Sequence, residues 1–390
     1  MPMKTTAAKS LRFFALPLMA AAMLYVPSAY AAPVYQKDYV GEMEIYRSNY
    51  EDTLVHLARK HGLGFVEMRA ANPKLDPWIP GDGARVVLPT QSLLPDAPRE
   101  GIVINLPEMK LYLFEKPGEA PIVYSISPGR EGLNTPVGST TVQSKRANPT
   151  WTPTPRMIKE DPTLKPFYPA GPDNPMGTHA LYLGWPEMRI HGTNKPYAIG
   201  RRASSGCIRM YPEAIKDIFQ RVPVGTKVTS VDQPVKVGWI KDKMYVEVSP
   251  TQEQSLRVEE LGEFKSYEIT TEDMKRITKK AGPDADKIDW DAVRKAVREH
   301  RGYPVAVLER GSASGTHVRD EIEDKLMEAD ASDKAKAEAD KAKIAEKAAA
   351  EKQAAAKDEK NKEDVRKAAK KTEVEVADTP RAAVRPVVNQ

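Results

Sequence analysis

The spacing of hydrophobic and polar positions changes several times along this chain, and each change marks a region. Met43-Glu44-Ile45-Tyr46-Arg47 alternates as a short strand does, and Thr53–Lys60 then spaces its apolar residues for a helix. Asp52 is the expected N-cap of that helix, and Gly62 lies just past its end. A second helix over Phe65–Ala71 is stopped by Asn72-Pro73, and Ala84–Pro89 closes as a strand. The order is β-α-α-β.

From Gly101 the pattern turns to strands. Ile102–Leu106 and Lys110–Phe114 flank Pro107-Glu108-Met109 as a hairpin. Further strands are predicted at Ile122–Ile126, Thr140–Ser144, Ala180–Gly184, Met188–His191 and Lys227–Val231. Short strands between Gly/Pro turns predict a mainly β domain, sandwich or barrel-like, with one short helix near Pro212–Arg221. Inside it, positions 153, 155, 162, 166, 169, 172 and 175 are all proline, so the segment reads as an ordered lid or substrate wall.

Pro234–Val248 predicts a hairpin turning at Lys241-Asp242-Lys243, and residues 271–308 predict two short helices. His300 and His317 stand alone and read as solvated. From about Gly311 the apolar pattern dissolves: Glu321–Thr372 holds fourteen acidic and fourteen basic residues among many alanines. Such a stretch forms a solvated helix or a disordered tail and no core.

A chain of 390 residues accommodates two or three domains. Its formal charge of +5, from 59 basic and 54 acidic residues, is mild, and no Lys/Arg block marks a nucleic-acid partner. Residues 1–31 read as a secretory signal: Lys4, Lys9 and Arg12 precede the apolar Phe13–Tyr25, and Ala29-Tyr30-Ala31 forms a cleavage site. The apolar run is too short to span a bilayer comfortably, and no other approaches that length, so the mature chain is expected to be exported, without a transmembrane segment.

That context singles out the only cysteine, Cys207. Oxidising compartments discourage free thiols, so an unpaired one asks for a chemical reason. His191 lies sixteen residues earlier in the same β domain, a natural base for a thiol nucleophile. Gly206 lets the chain turn tightly so that main-chain N–H groups face a developing oxyanion, and Arg209 suits an anionic substrate or a loop brace. On residue types alone, a small buried hydrophobic cysteine remains the alternative.

The wider pattern carries more. His191-Gly192-Thr193-Asn194, Ile199-Gly200-Arg201 and Ser204-Ser205-Gly206-Cys207-Ile208-Arg209-Met210 resemble the signature of the L,D-transpeptidase (YkuD-type) family. Asn134-Thr135-Pro136-Val137-Gly138, Asn148-Pro149-Thr150-Trp151 and Asn174-Pro175-Met176-Gly177 support the resemblance upstream. It implies a cell-wall cysteine transpeptidase in which Cys207 attacks a tetrapeptide stem and expels D-alanine, with His191 as base and the Gly192 carbonyl orienting the imidazole. Thr193, Ser204, Ser205, Gly206 and Arg209 would then surround substrate and oxyanion. No cofactor and no metal are implied. The acyl acceptor would be a stem amine or a lysine of a wall-anchored protein. Water as acceptor would give a carboxypeptidase, and a non-catalytic peptidoglycan-binding protein is a third reading. The chain departs from many relatives at Ser205, where they have histidine before the motif glycine.

Asp52-Thr53-Leu54, Ala71-Asn72-Pro73, Pro80-Gly81 and Val86–Pro89 resemble the LysM peptidoglycan-binding module, with Glu51 where that module usually has glycine. The expected organisation is a signal peptide at 1–31, a linker at 32–42, a LysM-like module at 43–89 and a catalytic domain at 100–231. A hairpin and short-helix extension at 232–310 and a low-complexity tail at 311–390 complete it. The resemblance places the protein in the periplasm or cell envelope, acting on stem peptides and glycan.

Overall fold

The computed structural model describes residues 1, 3, 33–261, 268–314 and 316–377, with side chains to residue 368. Except for Met1 and Met3, the expected signal peptide lies outside them.

The N-terminal unit begins with β1 (Tyr39–Val40) and β2 (Glu44–Arg47), followed by α1 (Leu54–Lys60), α2 (Phe65–Ala71), β3 (Arg85–Leu88) and β4 (Ser92–Leu93). Strand β2 pairs antiparallel with β3, and Leu54, Leu57, Met68, Val86 and Leu88 form the small core between them and the helices. The N-cap of α1 is Thr53, whose hydroxyl accepts the His56 N–H at 3.0 Å. Asp52, the expected cap, instead accepts from the Asn49 N–H and the Tyr46 hydroxyl, closing the turn before the helix.

Eight strands then close a barrel: β5 (Gly101–Asn105), β6 (Lys110–Phe114), β7 (Ile122–Ser127), β8 (Gly138–Ala147), β9 (His179–Leu183), β10 (Arg189–His191), β11 (Ile208–Met210) and β12 (Lys227–Val231). Their order round the barrel is β10-β11-β7-β6-β5-β12-β8-β9. All neighbours are antiparallel except β10 with β11 and β5 with β12. Closure removes the exposed sheet edges that an open arrangement would leave. Two α-helices belong to this unit. The proline-rich segment holds α3 (Pro155–Glu160), started by the Thr154 hydroxyl with proline in the first turn, and α4 (Pro212–Arg221) buries Ile215 and Ile218 against the barrel core.

The third unit adds a strand that the sequence pattern did not suggest. β13 (Val235–Ile240) and β14 (Lys243–Val248) form the expected hairpin, and β15 (Pro304–Glu309) joins β14 to make a three-stranded sheet. It follows α5 (Gln252–Glu260), α6 (Thr271–Ala281) and α7 (Trp290–Glu299), of which α6 and α7 cover the sheet through Ile277, Val293 and Val297. His300, expected in solvent, is fully buried at the C-terminus of α7, where φ of +45° turns the chain toward β15. His317 is exposed, beside Asp289 and Glu323. The charged stretch forms α8 (Glu321–Ala377), whose start packs through Ile322 and Leu326 against Met43 and Val87. Among the described residues no helix is long and apolar enough to cross a membrane.

Where the three units meet, five charged side chains are buried together. Glu67 of α2 pairs with Lys110 of β6 at 2.6 Å. Lys236 of β13 pairs with Glu108 at 2.5 Å and with Glu247 of β14 at 2.8 Å. Glu247 also accepts the Leu93 N–H at 2.6 Å, Lys236 donates to the Leu93 carbonyl at 2.6 Å, and Tyr112 donates to Glu108 at 2.9 Å. The network ties the segment leaving the N-terminal unit to both of the others.

Candidate active site

β10 ends at His191 and β11 begins at Ile208, so the parallel pairing brings the two motifs side by side. The register sets His191 opposite Arg209. Cys207 lies two residues before Arg209, and side chains two apart share a face of a strand. His191, Cys207, Arg209, Thr193, Ser204 and Ser205 all line one cleft of 980 Å³.

The Cys207 turn is built from both sides. Gly206 has φ of +105°, a backbone conformation that favours glycine, and a Cβ there would displace the Met188 methyl, 2.8 Å away. The Gly206 carbonyl accepts from the Thr135 hydroxyl at 2.7 Å, and that hydroxyl accepts the Gly129 N–H at 3.0 Å. The Ser204 hydroxyl donates to the Cys207 carbonyl, while the Ser204 carbonyl accepts the Arg130 N–H at 3.0 Å. Thr135 and Ser204 therefore shape the turn. The Cys207 thiol itself points at the Glu187 carbonyl, 3.4 Å away.

His191 is 5% exposed, and its Nδ1 lies 2.7 Å from the Gly192 carbonyl. That contact fits an Nδ1–H donor and leaves Nε2 as the basic nitrogen. Burial pushes the imidazole down to about 3, and the positive charges of Arg209 and Arg189 add to the effect, against the carbonyls of Gly192 and Met176. The ring is neutral across the physiological range. Arg209 is half-buried and donates to the Ala203 carbonyl at 3.2 Å. Desolvation lowers its pKa, and the nearby Cys207 opposes that shift. The Arg209 guanidinium thus disfavours charge on the imidazole.

Gly192 and Gly177 leave little room for side chains: a Cβ on Gly192 would meet the Ile215 side chain at 3.0 Å, and one on Gly177 would stand 2.7 Å from the Thr193 nitrogen. Thr193 is buried and accepts the Lys195 N–H at 3.0 Å, so its hydroxyl serves the turn after β10. Ser205 lines the cleft. His179 packs its ring on Phe219, 4.6 Å between centroids, away from the thiol.

The proline-rich segment forms the opposite wall. Trp151 and Tyr168 exchange backbone hydrogen bonds of 2.9 and 2.8 Å and pack their rings 5.2 Å apart. The Asn174 side chain donates to the Pro149 and Pro169 carbonyls and accepts the Met176 N–H, pinning the end of the wall beside Gly177. Glu160 at the end of α3 pairs with Arg130 at 2.6 Å, linking the wall to the loop before the Thr135 turn. Glu187, Met188, Arg189 and Tyr182 complete the cleft and were not singled out by motif. Arg189 had a signal available: two residues before His191 on a strand, it shares that residue's face.

A family model described as the L,D-transpeptidase catalytic domain matches residues 99–230. The probable L,D-transpeptidase YbiS of Escherichia coli K12 is 40% identical over 266 residues, covering 65% of this chain and 82% of its own. The probable L,D-transpeptidase YcfS of the same organism is 41% identical over 250 residues, covering 61% and 78% respectively. ErfK/SrfK, a third probable L,D-transpeptidase from that strain, is 45% identical over 184 residues, 46% of this chain and 59% of its own.

Proposed function

Because the chain belongs to the L,D-transpeptidase family, we propose that it is an exported cysteine acyltransferase in which Cys207 is acylated by a peptidoglycan stem peptide. The observation that carries this reading is His191 at the end of β10 and Cys207 just before β11, its parallel neighbour, both lining one cleft with Arg209.

The chemistry follows from that arrangement. Nε2 of His191 takes the thiol proton, and the sulfur attacks the carbonyl of the third stem residue. Burial makes an imidazolium costly on its own, so the proton transfer is favoured only as negative charge grows on sulfur and then on the carbonyl oxygen. Main-chain N–H groups of the Gly206 turn stabilise that oxyanion, and the Thr135 and Ser204 hydroxyls keep the turn in shape. Collapse of the tetrahedral intermediate breaks the amide bond. The proton on His191 goes to the departing D-alanine amine, leaving a thioester on Cys207. An incoming amine then loses its proton to His191 and displaces the thiol. The acceptor is a stem amine or a lysine of an anchored protein.

Residues 1–31 act as the export signal, and the enzyme works in the cell envelope. The 43–89 module holds glycan in this reading, and its accessible apolar side chains Tyr50, Trp78 and Ile79 support a contact surface there. Mass spectrometry of wall fragments incubated with purified protein tests the reaction. Links between two third-position residues indicate cross-linking, shortened tripeptide stems alone indicate a carboxypeptidase, and neither product from active preparations overturns acyl transfer.

A further inference from the structure

The connection from His191 to Cys207 leaves the barrel, and it is gripped by the N-terminal unit. The first N–H groups of a helix have no partner within it. In α2, Phe65 N–H donates to the Ile199 carbonyl and Val66 N–H to the Gly200 carbonyl, both at 3.2 Å. Two glycines meet at this contact. A Cβ on Gly64 would stand 2.9 Å from the Gly200 Cα, and one on Gly200 would stand 2.2 Å from the Gly64 Cα. The next residue, Arg201, lies over the Phe65 ring at 3.9 Å and pairs with Glu259 of α5.

α2 is itself referenced to the barrel. Glu67 accepts the Gly64 N–H at 3.1 Å while paired with Lys110 of β6. On the other side, Ser127 of β7 donates to the Ala198 carbonyl at 3.0 Å and accepts the Arg201 N–H at 3.4 Å. The segment 198–201 is thus clamped between β7 and the start of α2, six residues before the nucleophile.

Resting on the acyl-transfer reading above, we infer that Gly64 and Phe65 are positioning residues for the Cys207 turn, so that the N-terminal unit sets the catalytic geometry in addition to any role in binding. Gly64→Ala is a clean wedge, because Gly64 has an ordinary φ of −85° and only the contact with Gly200 forbids a methyl group. Phe65→Leu removes the ring beneath Arg201 without adding bulk. Ser125→Ala is the control: it removes a docking bond, Ser125 hydroxyl to the Gly62 carbonyl at 2.9 Å, away from the clamp.

The test follows two readouts on the full chain: acylation of Cys207 by a carbapenem, and alkylation of Cys207 by iodoacetamide across pH. Gly64→Ala should lower the maximal acylation rate ~10- to 100-fold, the scale of a displacement approaching an ångström, with half-saturation nearly unchanged. Its alkylation profile should move along the pH axis. Phe65→Leu should change both in the same direction by less, and decides the matter should Gly64→Ala fail to fold. Ser125→Ala should leave both as in the wild type. Unchanged rates and profiles in Gly64→Ala and Phe65→Leu overturn the inference, as does an equal loss in Ser125→Ala. Alkylation does not depend on acyl transfer. A wild-type chain that resists the carbapenem while its alkylation profile still shifts with Gly64→Ala therefore strikes the enzymatic reading and leaves the clamp standing.

Discussion

His191 and Glu247 are 5% and 0% exposed, yet the molecule treats the two buried groups in opposite ways. Around His191 stand Arg189 and Arg209, both of the wrong sign to stabilise an imidazolium, and the ring's support comes from backbone carbonyls. Around Glu247 stand Lys236 and Lys110, with Glu108 and Glu67 completing the network. Burial pushes Glu247 up to about 7, and Glu108 adds to that shift while the two lysines oppose it. In the network, three carboxyls share two ammonium groups where three units join. In the cleft, a single ring is kept neutral, its charged neighbours both cationic. Burial shapes both sites, and the presence or absence of a counter-charge separates the joint from the proposed catalytic base.

The largest expected effect breaks the cleft side of this contrast. Cys207→Ala should abolish acylation, and His191→Gln should slow it ~10²- to 10⁴-fold, the usual scale for a general base. Intact-mass measurement over time reads both, with thermal melting near that of the wild type.

Breaking the network should leave chemistry intact and cost stability. Lys236→Met strands Glu108 and Glu247 without their ammonium, an expected loss of ~3–5 kcal/mol in urea unfolding. A paired replacement, Lys236→Met with Glu247→Leu, should recover part of it. A Lys236→Met protein as stable as the wild type would remove the distinction drawn here.

The pH dependence sharpens the contrast further. Glu247 binds its proton more tightly folded than unfolded, with values of about 7 against 4.5, so its contribution to stability falls as pH rises through that interval. His191 binds its proton less tightly folded, about 3 against 6.5, so its contribution is lost as pH falls through that interval. Glu247→Gln should therefore flatten the first slope and His191→Gln the second, each measured as urea midpoints across pH. Either variant keeping the wild-type slope contradicts the assignment.

The smallest effect is expected at the surface. Arg47 pairs with Asp333 of α8, both about half exposed, and Arg47→Ala should cost under ~1 kcal/mol with no change in acylation.

Local chemistry was legible in the sequence, and long-range pairing was not. The β-α-α-β pattern of the first unit, the hairpin at Lys241-Asp242-Lys243 and the motif around Cys207 all rest on residues close together in the chain. The helix α3 was not read from the sequence, where its segment reads as a lid or substrate wall, although Thr154-Pro155 is a cap followed by proline in the first turn. By contrast, β15 is separated from β14 by three helices, so its short apolar run carried no sign of its partner. Glu108 reads as a turn residue because Lys236, which draws it into the interior, lies far along the chain. His300 reads as solvated for the same reason: the sheet it turns toward is assembled from distant segments. The grip of α2 on Ile199 and Gly200 has no local signature at all, since backbone carbonyls accept it.

The parallel pairing of β10 with β11 gives the chain length between His191 and Cys207 a physical meaning. A strand that ends at His191 cannot feed a parallel neighbour until the chain has returned along its own length, which takes a dozen or more residues. The sixteen-residue interval is therefore a return path. Closure entropy grows only logarithmically, about 0.6 kcal/mol for each doubling of a flexible loop, so extra length near the exposed Tyr197 should be absorbed at little thermodynamic cost. An insertion between Ile199 and Arg201 meets a different limit, because there the path is held by its neighbours atom by atom.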